Sequence, residues 1–147
     1  MRDYPTPLSR AQSLSKLQGY LASERETGIT RLHISSLTGK FLGYTGLMFR
    51  DDYPLDPHHE IGWRFLSGTW GQGYATEAAA AILKNAFQNL KLPNVLAYTA
   101  PDNHASQSVM KRLGLARRKD LDFTIKGGDE DGWQGLVWEA RPEHFDR

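Results

Sequence analysis

Glu60-Ile61-Gly62-Trp63-Arg64-Phe65-Leu66 runs into Gly68-Thr69-Trp70-Gly71-Gln72-Gly73, and Tyr74-Ala75-Thr76-Glu77-Ala78 follows. The first segment reads as a β-strand and the second as a glycine-rich turn. The third opens the clearest helix of the chain. Ala75, Ala78, Ala79, Ile82, Leu83, Ala86, Phe87 and Leu90 recur at the spacing that lines up one helical face, and Pro93 stops the pattern. Glycines at 68, 71 and 73 let the backbone approach a ligand closely, and the unpaired N–H groups in the first turn of a long helix attract an anion. A pyrophosphate is the natural guest. A nucleotide P-loop needs Lys-Ser or Lys-Thr after the glycines, and none follows here. A dinucleotide fingerprint started at Gly71 needs a small residue at Thr76 and an acid about 20 positions on, yet Lys91 to Tyr98 holds no Asp or Glu. A glycine cluster also serves as a plain tight turn between strand and helix.

Working outward, Leu8 to Ser23 reads as an amphipathic helix, with Ser9 and Gln12 in capping-box spacing and Leu14, Leu17 and Leu21 as its apolar stripe. Ile29 to Ile34 and Phe41 to Phe49 flank a Leu37-Thr38-Gly39-Lys40 turn and predict an antiparallel hairpin. Asp51 to His58, with two prolines, is a loop. Beyond Pro93, Val95 to Ala100 reads as a buried strand. His104 to Leu113 reads as a short helix closed by Gly114, with Asn103 at its N-cap position. Ala116 to Ile125 and Gln134 to Glu139 complete the pattern as strands joined by Gly127 to Gly132. This order describes an α/β (α+β) layer built on a mixed, mostly antiparallel sheet flanked by helices.

The 147 residues suit one domain spanning the whole chain, near the ~150-residue prior. Absence of cysteine excludes a disulfide framework, a Cys-based zinc site and a catalytic thiol. A formal charge of +1 gives no reason to expect nucleic acid or an anionic membrane as partner. The longest strictly apolar run, Ala78 to Leu83, is too short to span a bilayer, and Met1 to Pro7 has no apolar leader stretch, so a cytoplasmic domain is expected.

Taken together, three segments resemble the GNAT acyltransferases, most closely the branch that acetylates ribosomal-protein N-termini and related amines. They are Glu60 to Phe65, Trp70 to Ala78, and Tyr98-Thr99-Ala100-Pro101-Asp102-Asn103-His104-Ala105-Ser106 with Lys111-Arg112-Leu113-Gly114 after it. The family loop has the form [Q/R]-x-x-G-x-[G/A]. Gly73 and Ala75 occupy its last two fixed positions, and Trp70 stands where Gln or Arg is usual. The resemblance implies a splayed pair of parallel strands and acetyl-CoA as co-substrate. Backbone N–H groups from Gly71 to Thr76 would hold the pyrophosphate, with Trp70, Gln72 and Tyr74 as neighbouring side-chain contacts. Main-chain groups around Phe65 would pair with the pantetheine arm, and Asn103 would position it. Ser106 would hydrogen-bond the departing thiolate.

The implied reaction is direct acetyl transfer to a primary amine, a protein N-terminus or a small molecule, in a ternary complex. A chain without cysteine has no thiol to carry the acyl group. An ammonium must lose a proton before it can attack, and Glu60, on the strand beside the expected thioester, is the candidate base. His58-His59 offers a competing base. The pair is not read as a metal site, because adjacent residues on a strand point to opposite faces. The family normally opens with one more strand than is found before Leu8. This leaves open a non-catalytic or partner-dependent acyl-CoA-binding module, and a homodimer as assembly. Asp129, Glu130 and Asp131 in one loop and Asp51, Asp52 and Asp56 in another are compatible with a cationic amine, and equally with ordinary solvated loops.

Overall fold

The computed structural model describes residues 8–145. Met1 to Pro7, the stretch without an apolar leader pattern, lie outside the described residues, as do residues 146–147. The elements run α1 (Arg10–Thr27), β1 (Arg31–Ser35), β2 (Phe41–Arg50), β3 (His58–Phe65), α2 (Tyr74–Gln88), β4 (Val95–Thr99), α3 (His104–Arg112), β5 (Ala116–Arg117), β6 (Phe123–Thr124) and β7 (Gln134–Ala140). The sheet order is β1-β2-β3-β4-β7-β5, with β6 also on β7. Every pairing is antiparallel except β3 with β4. The expected mixed, mostly antiparallel sheet is therefore present.

The two faces of the sheet carry different tasks, and strand alternation sets which residue serves which. Ile61, Trp63 and Phe65 of β3, Val95 and Ala97 of β4 and Leu47 of β2 point to the face packed by Ala79, Leu83, Ala86 and Phe87 of α2 and by Val109 and Met110 of α3. Of the stripe read from the sequence, Ala79, Leu83, Ala86 and Phe87 are buried and Ala75, Ala78 and Ile82 partly so, while Leu90 falls beyond the end of the helix and is exposed. The α2 helix stops at Gln88, and the chain reverses through Lys91, whose φ of 56° is left-handed. The other face carries Arg31, Arg50, Glu60 and Tyr98 over a smaller cluster of Leu96, Phe123 and Val137.

Two expectations change. Helix α1 forms with its Ser9 and Gln12 capping box, but none of its residues is buried, and Leu14, Leu17 and Leu21 are about half exposed. It touches the sheet through Tyr20, whose ring packs on Tyr44 and whose carbonyl accepts from the Thr30 hydroxyl, so its leucine stripe is not part of the core. The strand expected from Ala116 to Ile125 is broken into β5 and β6 by a 3-10 turn at Lys119–Leu121. Asp122 is the cause. One of its carboxylate oxygens accepts from the Val137 N–H at 2.9 Å, while Arg117 grips both oxygens, so a side chain takes the place of a ladder partner.

Glycines in β2 let neighbouring strands close up. A Cβ at Gly46 would run into the Thr30 carbonyl oxygen and the Arg31 Cα of β1. Gly46→Ala is therefore expected to cost about 3 kcal/mol, seen as a lower urea midpoint at unchanged m-value.

Candidate active site

The β3-turn-α2 unit makes one cavity. After Phe65 the chain turns through Ser67–Thr69, and Gly71 and Gly73 adopt φ of 78° and 82°, a left-handed conformation that other residues rarely hold. Gly73 is the N-cap of α2 and supplies no side-chain oxygen, so the first-turn N–H groups are left for another acceptor. The cavity at this helix start is lined by Phe65, Trp70, Gly71, Gly73, Tyr74, Ala75 and Thr76, and a Cβ at Gly71 or Gly73 would meet open space. Thr76 Oγ1 is buried there without a hydrogen-bond partner. An uncapped helix start, an orphaned buried hydroxyl and an open cradle fit a phosphate-bearing ligand. The Trp70 indole N–H donates to the Phe65 carbonyl at 3.0 Å, which ties the turn to the end of β3 and occupies one lone pair of that oxygen. Gln72 is exposed and reaches only the Gly68 carbonyl, outside the cavity wall.

Helix α3 closes the opposite wall with Ala105, Ser108, Val109 and Arg112. From the sequence, Ser108 has no part and Arg112 no site role, only a place in the Lys111 to Gly114 motif. Their i, i+3, i+4, i+7 spacing from Ala105 places all four on one helical face, and that periodicity is the signal that identifies them.

A second cavity opens where β3 and β4 part. Among the described residues Glu60↔Leu96 is the single register pair between them. Arg31, Arg50, Tyr53, Glu60, Tyr98 and Glu130 line this cleft, with Lys16 and Tyr20 reaching it from α1. Ser106 lies on the same wall, the next position along α3 from Ala105, which faces the first cavity. Asn103 is buried and caps α3, its side-chain oxygen accepting from the Ser106 N–H at 3.2 Å. The structure thus brings Glu60 and Ser106 to one cleft. It brings Phe65, Trp70, Gly71, Gly73, Tyr74, Ala75 and Thr76 to the other cavity, and sets Gln72 and Asn103 behind the walls. His58 and His59 point to opposite faces as alternation requires. His58 reaches Tyr98, and His59 packs on Phe49. Of the acidic loop residues, Glu130 alone lines the cleft, while Asp131 accepts from the Gly127 N–H.

Glu60 is clamped at both oxygens. Arg31 Nη2 lies 2.6 Å from Oε1 and Arg50 Nε lies 3.1 Å from Oε2, with the Arg31 and Glu60 side chains 7% and 8% exposed. Burial alone would raise the Glu60 carboxyl, but the two guanidiniums outweigh it and hold the group below the ordinary 4.5. Burial pushes the phenols of Tyr53 and Tyr98 up, so both keep their protons across the working pH range. A carboxylate lowered in the folded state stabilises the fold fully above its unfolded value of 4.5 and loses that contribution as pH falls through the folded value. Glu60→Gln is expected to cost ~3–5 kcal/mol at pH 7, because two guanidiniums lose their counter-charge. The gap to the native chain should narrow as urea denaturation is repeated from pH 5 down to pH 3.

No group of three or more His, Cys, Asp and Glu side chains able to hold a metal occurs among the described residues, and none of their helices is long and apolar enough to cross a membrane. Comparison with known proteins matches residues 1–116 to the Acetyltransferase (GNAT) domain model. The chain is 39% identical over 72 residues to YnaD of Bacillus subtilis, named an uncharacterized N-acetyltransferase; the match covers 49% of this chain and 42% of YnaD. The chain therefore spans less than half the length of that relative. It superposes on an acetyltransferase from Agrobacterium tumefaciens with a TM-score of 0.75 at 28% identity, covering 92% of this chain and 74% of the other. It superposes on Mycobacterium smegmatis RimJ, solved in complex with CoA-disulfide, with a TM-score of 0.73 at 22% identity, covering 93% and 64%. An uncapped helix start beside a cavity, a sheet that splays next to it and a domain model matched over most of the sequence converge on one conclusion: the chain belongs to the GNAT acetyltransferase family.

Proposed function

We propose that the chain transfers an acetyl group from acetyl-CoA to a primary amine by direct attack while both are bound. The observation that carries this reading is the pair of cavities on either side of the β3/β4 fork, one fitted to phosphate and one polar, with α3 forming a wall of both. The match to an N-acetyltransferase by name over half the chain supports it. The first-turn amides of α2, Thr76 Oγ1 and the Arg112 guanidinium would take the phosphates. The arm of the coenzyme would pass between β3 and β4, where main-chain groups near Phe65 have no β4 ladder partner and can polarise the thioester carbonyl.

Ser106 is the residue proposed to meet the sulfur. A hydroxyl is a weak acid, so its part is to hydrogen-bond the developing thiolate. Glu60 reads differently from the base that its strand position implied. A carboxylate held down by two guanidiniums binds a proton poorly at neutral pH, and its proposed part is to fix Arg31 and Arg50 at the mouth of the fork. Glu130 supplies the negative charge that an incoming ammonium would meet.

Acetyl-CoA at a hundredfold excess over Kd should raise the melting temperature by about 5–10 °C. Gly73→Asp should abolish the shift, since it forces a side chain onto a left-handed residue and puts a negative charge at the anion site. No shift with any acyl-CoA would remove the reading. Free-thiol release should be screened across polyamines, amino acids, aminoglycosides and peptides beginning with Ser, Ala, Thr or Met. Steady release with any one of them identifies an enzyme, and binding without release identifies a non-catalytic module. Ser106→Ala should lower kcat by ~10–100-fold, the worth of one hydrogen bond to a charged atom, with the acetyl-CoA melting shift retained.

A further inference from the structure

An ammonium acceptor must hand a proton on, and the clamped carboxylate of Glu60 is a weak recipient. Tyr98 stands in the cleft wall on β4, and behind it lies His58, the first residue of β3, partly exposed to solvent. His58 Nε2 is 3.3 Å from the Tyr98 hydroxyl oxygen, and His58 Nδ1 is 2.8 Å from the Asp56 carbonyl oxygen. A carbonyl oxygen only accepts, so Nδ1 carries the ring hydrogen, and the neutral imidazole presents a lone pair at Nε2. The Tyr98 hydroxyl is therefore the donor in that contact. Its proton is directed to His58, and its oxygen keeps lone pairs for a donor in the cleft.

We propose that Tyr98 and His58 form the relay that takes the proton from the acceptor amine. One ammonium N–H bond breaks and its electron pair stays on nitrogen as the nucleophile. The proton goes to Tyr98 Oη as the phenolic proton passes to Nε2 of His58. The tyrosine ends as it began, and the imidazolium returns its proton to solvent. The amine nitrogen then bonds to the acetyl carbon, the C–S bond breaks, and the second N–H proton leaves with the sulfur as thiol. One proton is released to water per turnover. This inference rests on the acetyl-transfer reading.

The surroundings favour this route. Tyr98 keeps its proton across the working range, so it passes protons in concert and does not act as a phenolate. Tyr53 packs edge-on against Tyr98, and the two rings of the relay meet edge-on at 5.8 Å between centroids. Arg50 stands opposite His58 on β2, and its charge is met by Glu60. His59 turns to the other face, and the Asp56 carbonyl holds the ring from the loop. Tyr98 would touch the substrate, and His58 would act through it as a positioning and proton-accepting residue.

The test uses the full chain, acetyl-CoA and the amine of the screen with the fastest thiol release. Wild-type kcat should fall as pH drops through the range where an imidazole takes up its proton. His58→Gln and Tyr98→Phe should each lower kcat about 100-fold and flatten that acid limb, with no further loss in the double variant. Both should keep the wild-type melting shift with acetyl-CoA, which shows a folded, coenzyme-binding protein. Independently of any acceptor, 15N spectra at neutral pH should show His58 as the Nδ1–H tautomer. The Nε2–H tautomer, or a folded His58→Gln variant with unchanged kcat and acid limb, would overturn the relay while leaving acetyl transfer intact. A wild-type chain that releases no thiol with any amine would overturn acetyl transfer, and the relay with it.

Discussion

Glu60 stands where β3 and β4 stop pairing, and the arrangement of the site depends on what holds that fork open. Two guanidiniums, Arg31 from β1 and Arg50 from β2, converge on one carboxylate that is almost wholly out of water. Charges buried this deeply are tolerated only when each is matched, and here both carboxylate oxygens are engaged. The fit reaches into the backbone. A Cβ at Gly62 would lie 2.6 Å from Arg31 Nη2, so the strand carries glycine where the guanidinium crosses it. The result is a rigid three-strand corner from which β3 departs, beyond its single register pair with β4, toward the glycine turn.

The departure of β3 gives the sheet two openings on one line. On one side α2 begins without a side-chain cap, and its amides face a cavity that also holds the orphaned Thr76 hydroxyl. On the other, tyrosines and charged side chains gather in a cleft. Helix α3 separates the two, and its period lets residues one turn apart share a chamber while adjacent positions serve different ones: Ser106 and Met110 face the cleft, and Ala105, Ser108 and Val109 face the cavity. Asn103 contributes by fixing where that helix starts, through its bond to the Ser106 N–H. A shift of α3 by one residue would exchange the two sets.

The same physics separates the features set locally along the chain from those set across it. The α2 stripe up to Phe87, the Gly71 and Gly73 turn and the Asn103 cap each depend on residues within a few positions of one another, and each stands as the spacing implies, while Leu90 falls past the helix end. The Leu14, Leu17 and Leu21 stripe had the same local form and is half exposed, because periodicity says that a face is apolar and not that something covers it. The Ala116 to Ile125 strand failed for a related reason: Asp122 binds a backbone N–H 15 residues away, and no local pattern announces that bond.

The sequence by itself determined the order of the elements and the glycine turn that leaves α2 without a side-chain cap, since these are set by neighbours along the chain, whereas the sheet joins distant positions such as Glu60 with Leu96 and Leu96 with Glu139. It also placed Glu60 and Ser106 on the elements that carry them. Only the tertiary structure decided what those elements face. The partners of Glu60 come from 29 and 10 residues away, and His58 meets Tyr98 across 40 residues. Whether a carboxylate takes a proton or anchors two arginines is a property of its surroundings, because charge and burial act through space and not along the chain.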